Sequence, residues 1–92
     1  MSVTVHLSGH LKAYTGGQLE IQVPGDHATV GDVLDSLWKK HIALRDRVLN
    51  EQGDIRQHVN IFVGSNDVKR QKGLGTKLAS DELHIFNAVS GG

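Results

Sequence analysis

The chain has 92 residues, ten acidic and ten basic, and no cysteine. This length holds one domain with one modest core, and the balanced charge gives no global field that would draw the protein to nucleic acid or to an anionic membrane. Disulfides, thiolate metal sites and a cysteine nucleophile are excluded, and no apolar run has the length of a secretory signal or a membrane span, so we expect a cytoplasmic protein.

Two strands are predicted in the first quarter of the chain. The segment VTVHLS alternates apolar and polar residues, which is typical of a half-buried strand. After a loop over GHLKAYTGG, the segment QLEIQV restarts the alternation with Leu19, Ile21 and Val23 on the inner face. Pro24 opens a turn, so the two strands should form a hairpin.

An amphipathic helix is predicted to begin after Thr29. The apolar residues recur there at helical spacing, as Val30, Val33, Leu34, Leu37 and Trp38. Thr29 is a good N-cap, and Asp32 supplies an acidic variant of the capping box. The segment IALRDRVLNEQ that follows could add a short helical turn before Gly53.

The second half of the chain returns to the period of strands. The segment HVNIFV predicts a strand, with Phe62 on the face opposite to its valines and isoleucine. GSND is then predicted as a turn and VKR as a short return strand, and ELHIFNAV is predicted as the last strand. A sheet with one main helix on one face is an α+β architecture. In this arrangement the last strand can lie parallel beside the first.

Two segments of the chain resemble a known family. VNIFVGSNDVKRQKGLGTKL and DELHIFNAVSGG are similar to the C-terminal half of the ubiquitin-like β-grasp sulfur carriers of the MoaD/ThiS superfamily, most of all to the cysteine-biosynthesis type, and YTGGQ and GDIRQHVNIFV extend the resemblance toward the N-terminus. The resemblance implies a single β-grasp domain over residues 1–92, with a mixed sheet packed on one main helix. It also implies a flexible Gly-Gly tail at about residues 88–92.

The resemblance assigns the function to this tail. It implies that the Gly92 carboxylate is adenylated by an enzyme of the ubiquitin-activating type, which uses ATP, and becomes a thiocarboxylate that donates sulfur. Ser90 and Gly91 would thread into the enzyme's narrow cleft, where glycine permits close backbone approach. The carrier itself would be neither a catalyst nor the holder of a cofactor. Its further partners would be a pyridoxal-phosphate-dependent cysteine synthase and a metalloprotease that releases cysteine.

The open face of the sheet is the predicted docking surface. With the last strand between the first and third strands, His6, His84, Phe62 and Phe86 lie on this face, with the two phenylalanines as cross-strand neighbours and His84 beside His6. Two exposed phenylalanines together indicate a docking patch. The alternative is that a loop covers one or both rings.

The basic residues and histidines receive weaker assignments. Lys69 and Arg70 either discourage pairing at an edge strand or contact an acidic surface of the activating enzyme, and Arg47 is predicted to lie on a solvated face. The six histidines lack the spacing of a metal site. His6 and His84 could be neighbours, but we expect no carboxylate near them, and therefore no metal site.

Other functions within and outside the family stay open at this point. The chain could be the small subunit of molybdopterin synthase, a thiamine or tRNA-thiolation carrier, or a ubiquitin-like modifier joined to target lysines through Gly92. It could also be a non-covalent interaction domain that uses Phe62 and Phe86 and has a frayed tail.

Overall fold

The computed structural model describes residues 2–87 as one mixed sheet with helices. Its strands are β1 (Ser2–Leu7), β2 (Glu20–Pro24), β3 (Val59–Val63), β4 (Asn66–Asp67) and β5 (Glu82–Asn87). The α-helices are α1 (Val30–Lys40) and α2 (Ile42–Val48), and short 3₁₀-helices cover Gly9–Tyr14, Val68–Arg70 and Gly73–Gly75. Within the described range, no helix is long and apolar enough to span a membrane.

The strand β5 occupies the middle of the sheet. The order across the sheet is β2-β1-β5-β3-β4. β1 and β2 form the predicted antiparallel hairpin, while β5 runs parallel to β1 and antiparallel to β3. The predicted α+β, ubiquitin-like β-grasp fold is confirmed, including the parallel pairing of the first and last strands.

The core lies between α1 and the inner face of the sheet. Every apolar residue of the predicted helical stripe is buried, namely Val30, Val33, Leu34, Leu37 and Trp38. They join Val5, Ile61, Leu83 and Ile85, which come from three strands and have no exposed area. Complete burial stabilises such side chains by about 1.5–3 kcal/mol each, so the stripe fixes α1 on this face of the sheet.

The N-terminus of α1 has the predicted capping box. The Asp32 amide donates to Thr29 Oγ1, and the Thr29 amide donates to Asp32 Oδ2, both at 3.2 Å. Two amides that have no partner within the helix are thereby satisfied. This pair of hydrogen bonds explains why the helix begins at Val30 rather than at an earlier residue.

Leu19 is wrongly predicted to face the core. Pairing of β2 with β1 begins only at Glu20, opposite His6, and Leu19 is 46% exposed. The preceding segment, predicted as a loop, contains the 3₁₀-helix Gly9–Tyr14, which buries Leu11 in the core. Leu11 therefore belongs to the core, whereas Leu19 does not.

The predicted return strand VKR is also wrong. The return strand is β4, inside the predicted turn, since Gly64 adopts a φ of 59° and the chain turns at once to pair Val63 with Asn66. Residues Val68–Arg70 instead form a 3₁₀-helix with Val68 fully buried. The possible helical turn after α1 is a complete short helix, α2.

Candidate functional site

The route to the predicted reactive group starts in the middle of the sheet. Gly92, Gly91 and Ser90 lie outside the described residues, as does the whole predicted tail at about residues 88–92. The last described residue, Asn87, pairs with Val59 at the start of β3. Its amide donates to Ser8 Oγ at 3.3 Å, just beyond the end of β1. Both neighbouring strands therefore hold the chain where it leaves β5.

An aromatic pair lies on the open face beside this exit. The rings of Phe62 and Phe86 stack with their centroids 5.6 Å apart and an interplanar angle of 19°. They contact each other diagonally, because Phe62 is paired with His84 and Phe86 with Asn60. Phe86 is 37% exposed and Phe62 is half-buried, so no loop within residues 2–87 covers Phe86. We call Phe62, Phe86, His84 and His6 the aromatic patch.

The two histidines of the aromatic patch stack across β1 and β5. His6 and His84 are directly paired, and their rings lie 4.6 Å apart at 12°. His6 Nε2 is 2.8 Å from Glu82 Oε1. The expectation of no nearby carboxylate is therefore wrong. The signal was present in the sequence, since Glu82 lies two positions before His84 and so on the same face.

The described residues hold no candidate metal centre. Within residues 2–87, no group of three or more histidine, aspartate or glutamate side chains is arranged to bind a metal ion. His6 and His84 thus form the polar part of the aromatic patch, with Glu82 beside them. These imidazoles and this carboxylate can exchange hydrogen bonds with a partner.

Lys69 and Arg70 lie on a 3₁₀-helix and not on an edge strand. Lys69 Nζ donates to the carbonyl oxygens of Arg56 and Gln57, at 3.0 and 2.9 Å. Arg70 is exposed and shares a shallow groove with Phe62. Lys69 therefore has a structural contact of its own, and Arg70 is the basic residue that borders the aromatic patch.

A basic cleft beside the exit of β5 was missed from the sequence. Its lining residues are His10, Leu11, Tyr14, Arg47, Arg56, His58 and Asn87, and its volume is about 270 Å³. The Arg47 guanidinium carbon lies 4.9 Å from the centre of the Tyr14 ring. These residues come from separate parts of the chain, so no local pattern indicates the cleft. We call it the exit cleft.

The strand order and the single main helix are those of a ubiquitin-like β-grasp protein. The chain belongs to the ThiS family, which it matches over residues 5–92. Proteins of the ThiS/MoaD family are small protein carriers and not enzymes, and the resemblance seen in the sequence is confirmed.

Within this family, the chain is similar to sulfur carrier proteins of the CysO type. The chain is 35% identical to the sulfur carrier protein CysO of Mycobacterium tuberculosis, in an alignment that covers all of both chains. It superposes with a TM-score of 0.85 on a structure of the Amycolatopsis orientalis BexX/CysO complex, with 31% identity and coverage of 98% of this chain and 99% of the other. The chain is thus a CysO-like sulfur carrier protein.

A second kind of relative is a protein modifier. Small archaeal modifier protein 1 of Haloferax volcanii is 42% identical over 74 residues, which are 80% of either chain. Its crystal structure superposes with a TM-score of 0.81 and covers both chains completely. The same sheet and helices are therefore shared by sulfur carriers and modifiers.

Proposed function

We propose that the chain carries sulfur on Gly92 as a thiocarboxylate and donates it for cysteine biosynthesis. The observation that carries this proposal is the match to the ThiS family, which extends through Gly91 and Gly92. The full-length alignment with CysO supports the choice of pathway. β5 supports the delivery of the tail, since its neighbours hold Asn87 five positions before Gly92.

The chemistry takes place on an activating enzyme that binds ATP. A carboxylate oxygen of Gly92 attacks the α-phosphorus of ATP, and the bond to the pyrophosphate breaks. A hydrosulfide donor then attacks the acyl carbon of the adenylate, AMP leaves, and a thiocarboxylate remains. The carrier's own contribution is a terminal segment without bulky side chains, because Ser90, Gly91 and Gly92 can enter a narrow cleft.

The thiocarboxylate sulfur then adds to the β-carbon of an aminoacrylate supplied by a pyridoxal-phosphate-dependent cysteine synthase. The α-carbon takes up a proton, and the product is cysteine joined to Gly92. A metalloprotease hydrolyses the product, which frees cysteine and regenerates the Gly92 carboxylate. We place these reactions, and the carrier, in the cytoplasm.

The aromatic patch is the docking surface of this proposal. Phe86 offers an exposed ring beside the exit of β5, and its stacked partner Phe62 limits its freedom, so little side-chain entropy is lost when a partner binds. Arg70 borders Phe62 in the same groove and can pair with an acidic group of the activating enzyme. Lys69 lies next to Arg70, although its ammonium group already contacts two carbonyl oxygens.

Intact mass spectrometry tests the reaction. The protein is incubated with an activating enzyme from the same genome, ATP and sulfide, and its mass should increase by the replacement of one oxygen by sulfur. A variant lacking Gly92 should show no gain, and neither should a variant with one residue added after Gly92. A carrier that stays unmodified with every such enzyme of the genome would contradict the proposal.

The likeness to small archaeal modifier protein 1 favours a second function for the same residue. In that function a lysine amine attacks the activated Gly92 and forms an isopeptide bond. The two functions differ in their products, since the modifier gives conjugates of higher mass in cell extracts that require Gly92. A thiocarboxylate without conjugates would leave the carrier function alone.

A further inference from the structure

We infer that the exit cleft is a docking site for an acidic segment of the protein that receives the tail. The inference rests on the proposed function in one respect, because it takes the tail to enter another protein. The cleft is bounded by the 3₁₀-helix Gly9–Tyr14, by α2, by the segment before β3 and by Asn87 at the end of β5. A partner that binds beside the end of β5 therefore meets the cleft.

The charge of the exit cleft is one-sided. Arg47, Arg56, His10 and His58 line it, and no acidic side chain does. Among residues 2–87, no carboxylate lies within ion-pair distance of Arg47 or Arg56. The whole chain has a formal net charge of zero, so this cluster is a local excess of positive charge. Such an excess attracts an acidic partner at a distance and orients it during encounter.

Both arginines are held in place by contacts to uncharged groups. The guanidinium group of Arg47 lies over the Tyr14 ring, a cation–π contact that leaves its N–H groups at the edge of the plane. Arg56 donates through Nε to the carbonyl oxygen of Asp46 at 2.8 Å, and its two terminal nitrogens stay available to bind a ligand. A positioned guanidinium group binds a carboxylate through two parallel hydrogen bonds. The pair is therefore suited to the carboxylates of aspartate or glutamate.

A peptide segment fits the remaining lining better than a free anion does. Its two arginines come from different elements, Arg47 from α2 and Arg56 from the segment before β3. Each guanidinium group can bind one carboxylate. Two acidic side chains of one peptide segment therefore match the cleft better than a single small anion does.

The exit cleft lies at a distance from the nucleotide that is joined to Gly92 during activation. Gly92 is five positions after Asn87, and a fully extended chain of that length spans about 17 Å. When the tail enters an active site in an extended conformation, the phosphates of the adenylate lie at about that distance from the cleft. The anion that meets Arg47 and Arg56 therefore belongs to the rim of the receiving protein.

Charge reversal tests this inference in the activation reaction. The variant Arg47→Glu/Arg56→Glu is compared with Lys39→Glu/Lys77→Glu, which makes the same change of charge at two exposed positions outside the cleft. The rate of pyrophosphate release is measured against carrier concentration at several salt concentrations. We expect kcat/KM to fall by about tenfold or more at low salt in the cleft variant only, with the difference shrinking as salt screens the charges.

The single variant Arg47→Glu shows whether misfolding of the double variant explains its lower kcat/KM. It leaves the bond from Arg56 to Asp46 intact, and its kcat/KM should fall in the same salt-dependent way. Values of kcat/KM equal to the control, while removal of Gly92 still abolishes the reaction, would overturn the inference and leave the proposed function standing. A wild-type chain that is not activated would instead contradict the proposed function.

A titration followed by nuclear magnetic resonance tests the cleft without the enzyme. A short oligoglutamate should shift the amide signals of His58 and Asn87 in the wild type and not in Arg47→Glu. Shifts caused by an oligouridylate and not by the oligoglutamate would identify a nucleic-acid site and overturn the inference. No shift with either probe would overturn it as well.

Discussion

At the scale of single residues, Lys69 shows how a surface lysine can be structural. Its ammonium group joins the carbonyl oxygens of Arg56 and Gln57, the segment that leads into β3. The sequence could not predict this contact, since it joins residues 12 and 13 positions apart through an irregular segment. By contrast, the Thr29–Asp32 capping box is local, and its residue types predict it directly.

The variant Lys69→Met should lower the free energy of unfolding by about 1 kcal/mol, because two carbonyl groups lose a charged donor that water replaces only in part. Urea unfolding followed by circular dichroism measures this change. Lys72→Met is the matched control, since Lys72 is an exposed lysine nearby and its change should stay within about 0.5 kcal/mol. Equal stability of the two variants would show that the contact contributes nothing.

At the scale of elements, β5 contributes both to the core and to the open face that carries the aromatic patch. Leu83 and Ile85 are fully buried, whereas Phe86 is exposed on the opposite side. Alternation in the sequence predicts this division correctly because the period of a strand is fixed by its backbone. It fails at Leu19, where the end of the pairing with β1, and not the pattern, decides exposure.

The variant Phe86→Asp should weaken docking and leave the fold intact. The carboxylate would face a partner's apolar surface, so we expect kcat/KM for activation to fall by about tenfold or more. The control Ser2→Asp adds the same charge at an exposed position of β1 outside the aromatic patch. Unfolding in urea should confirm that both variants are folded, and an unchanged kcat/KM in Phe86→Asp would exclude the aromatic patch from activation.

At the scale of the whole molecule, the sequence predicts the fold better than the site. Regular strands and one amphipathic helix carry periods that are visible in a single chain, and the family resemblance indicates Gly92. The exit cleft carries no such signal, because Arg47, Arg56, His10 and Asn87 come together only after the sheet and α2 have packed. The charge of such a surface depends on the tertiary structure.

Stability and function should therefore separate along the chain. The buried apolar side chains of the described core run from Val3 to Ile85. Removal of Gly91 and Gly92 should leave the urea midpoint unchanged and abolish thiocarboxylate formation. Ile85→Ala should instead lower the free energy of unfolding by about 2–5 kcal/mol, through the cavity it creates in the middle strand. A large loss of stability on removal of the two glycines would contradict this separation.

The central position of β5 also determines when the protein can fold. Thr4 pairs with Glu82 and Leu7 with Ile85, so the sheet closes only when β1 meets a strand from the other end of the described range. Contacts so far apart in sequence form late and slowly. On the ribosome, the aromatic patch is complete only after Phe86 has emerged. An enzyme that recognises this patch would therefore bind the chain only after β5 has joined the sheet. The order of the strands would thus restrict activation to folded molecules.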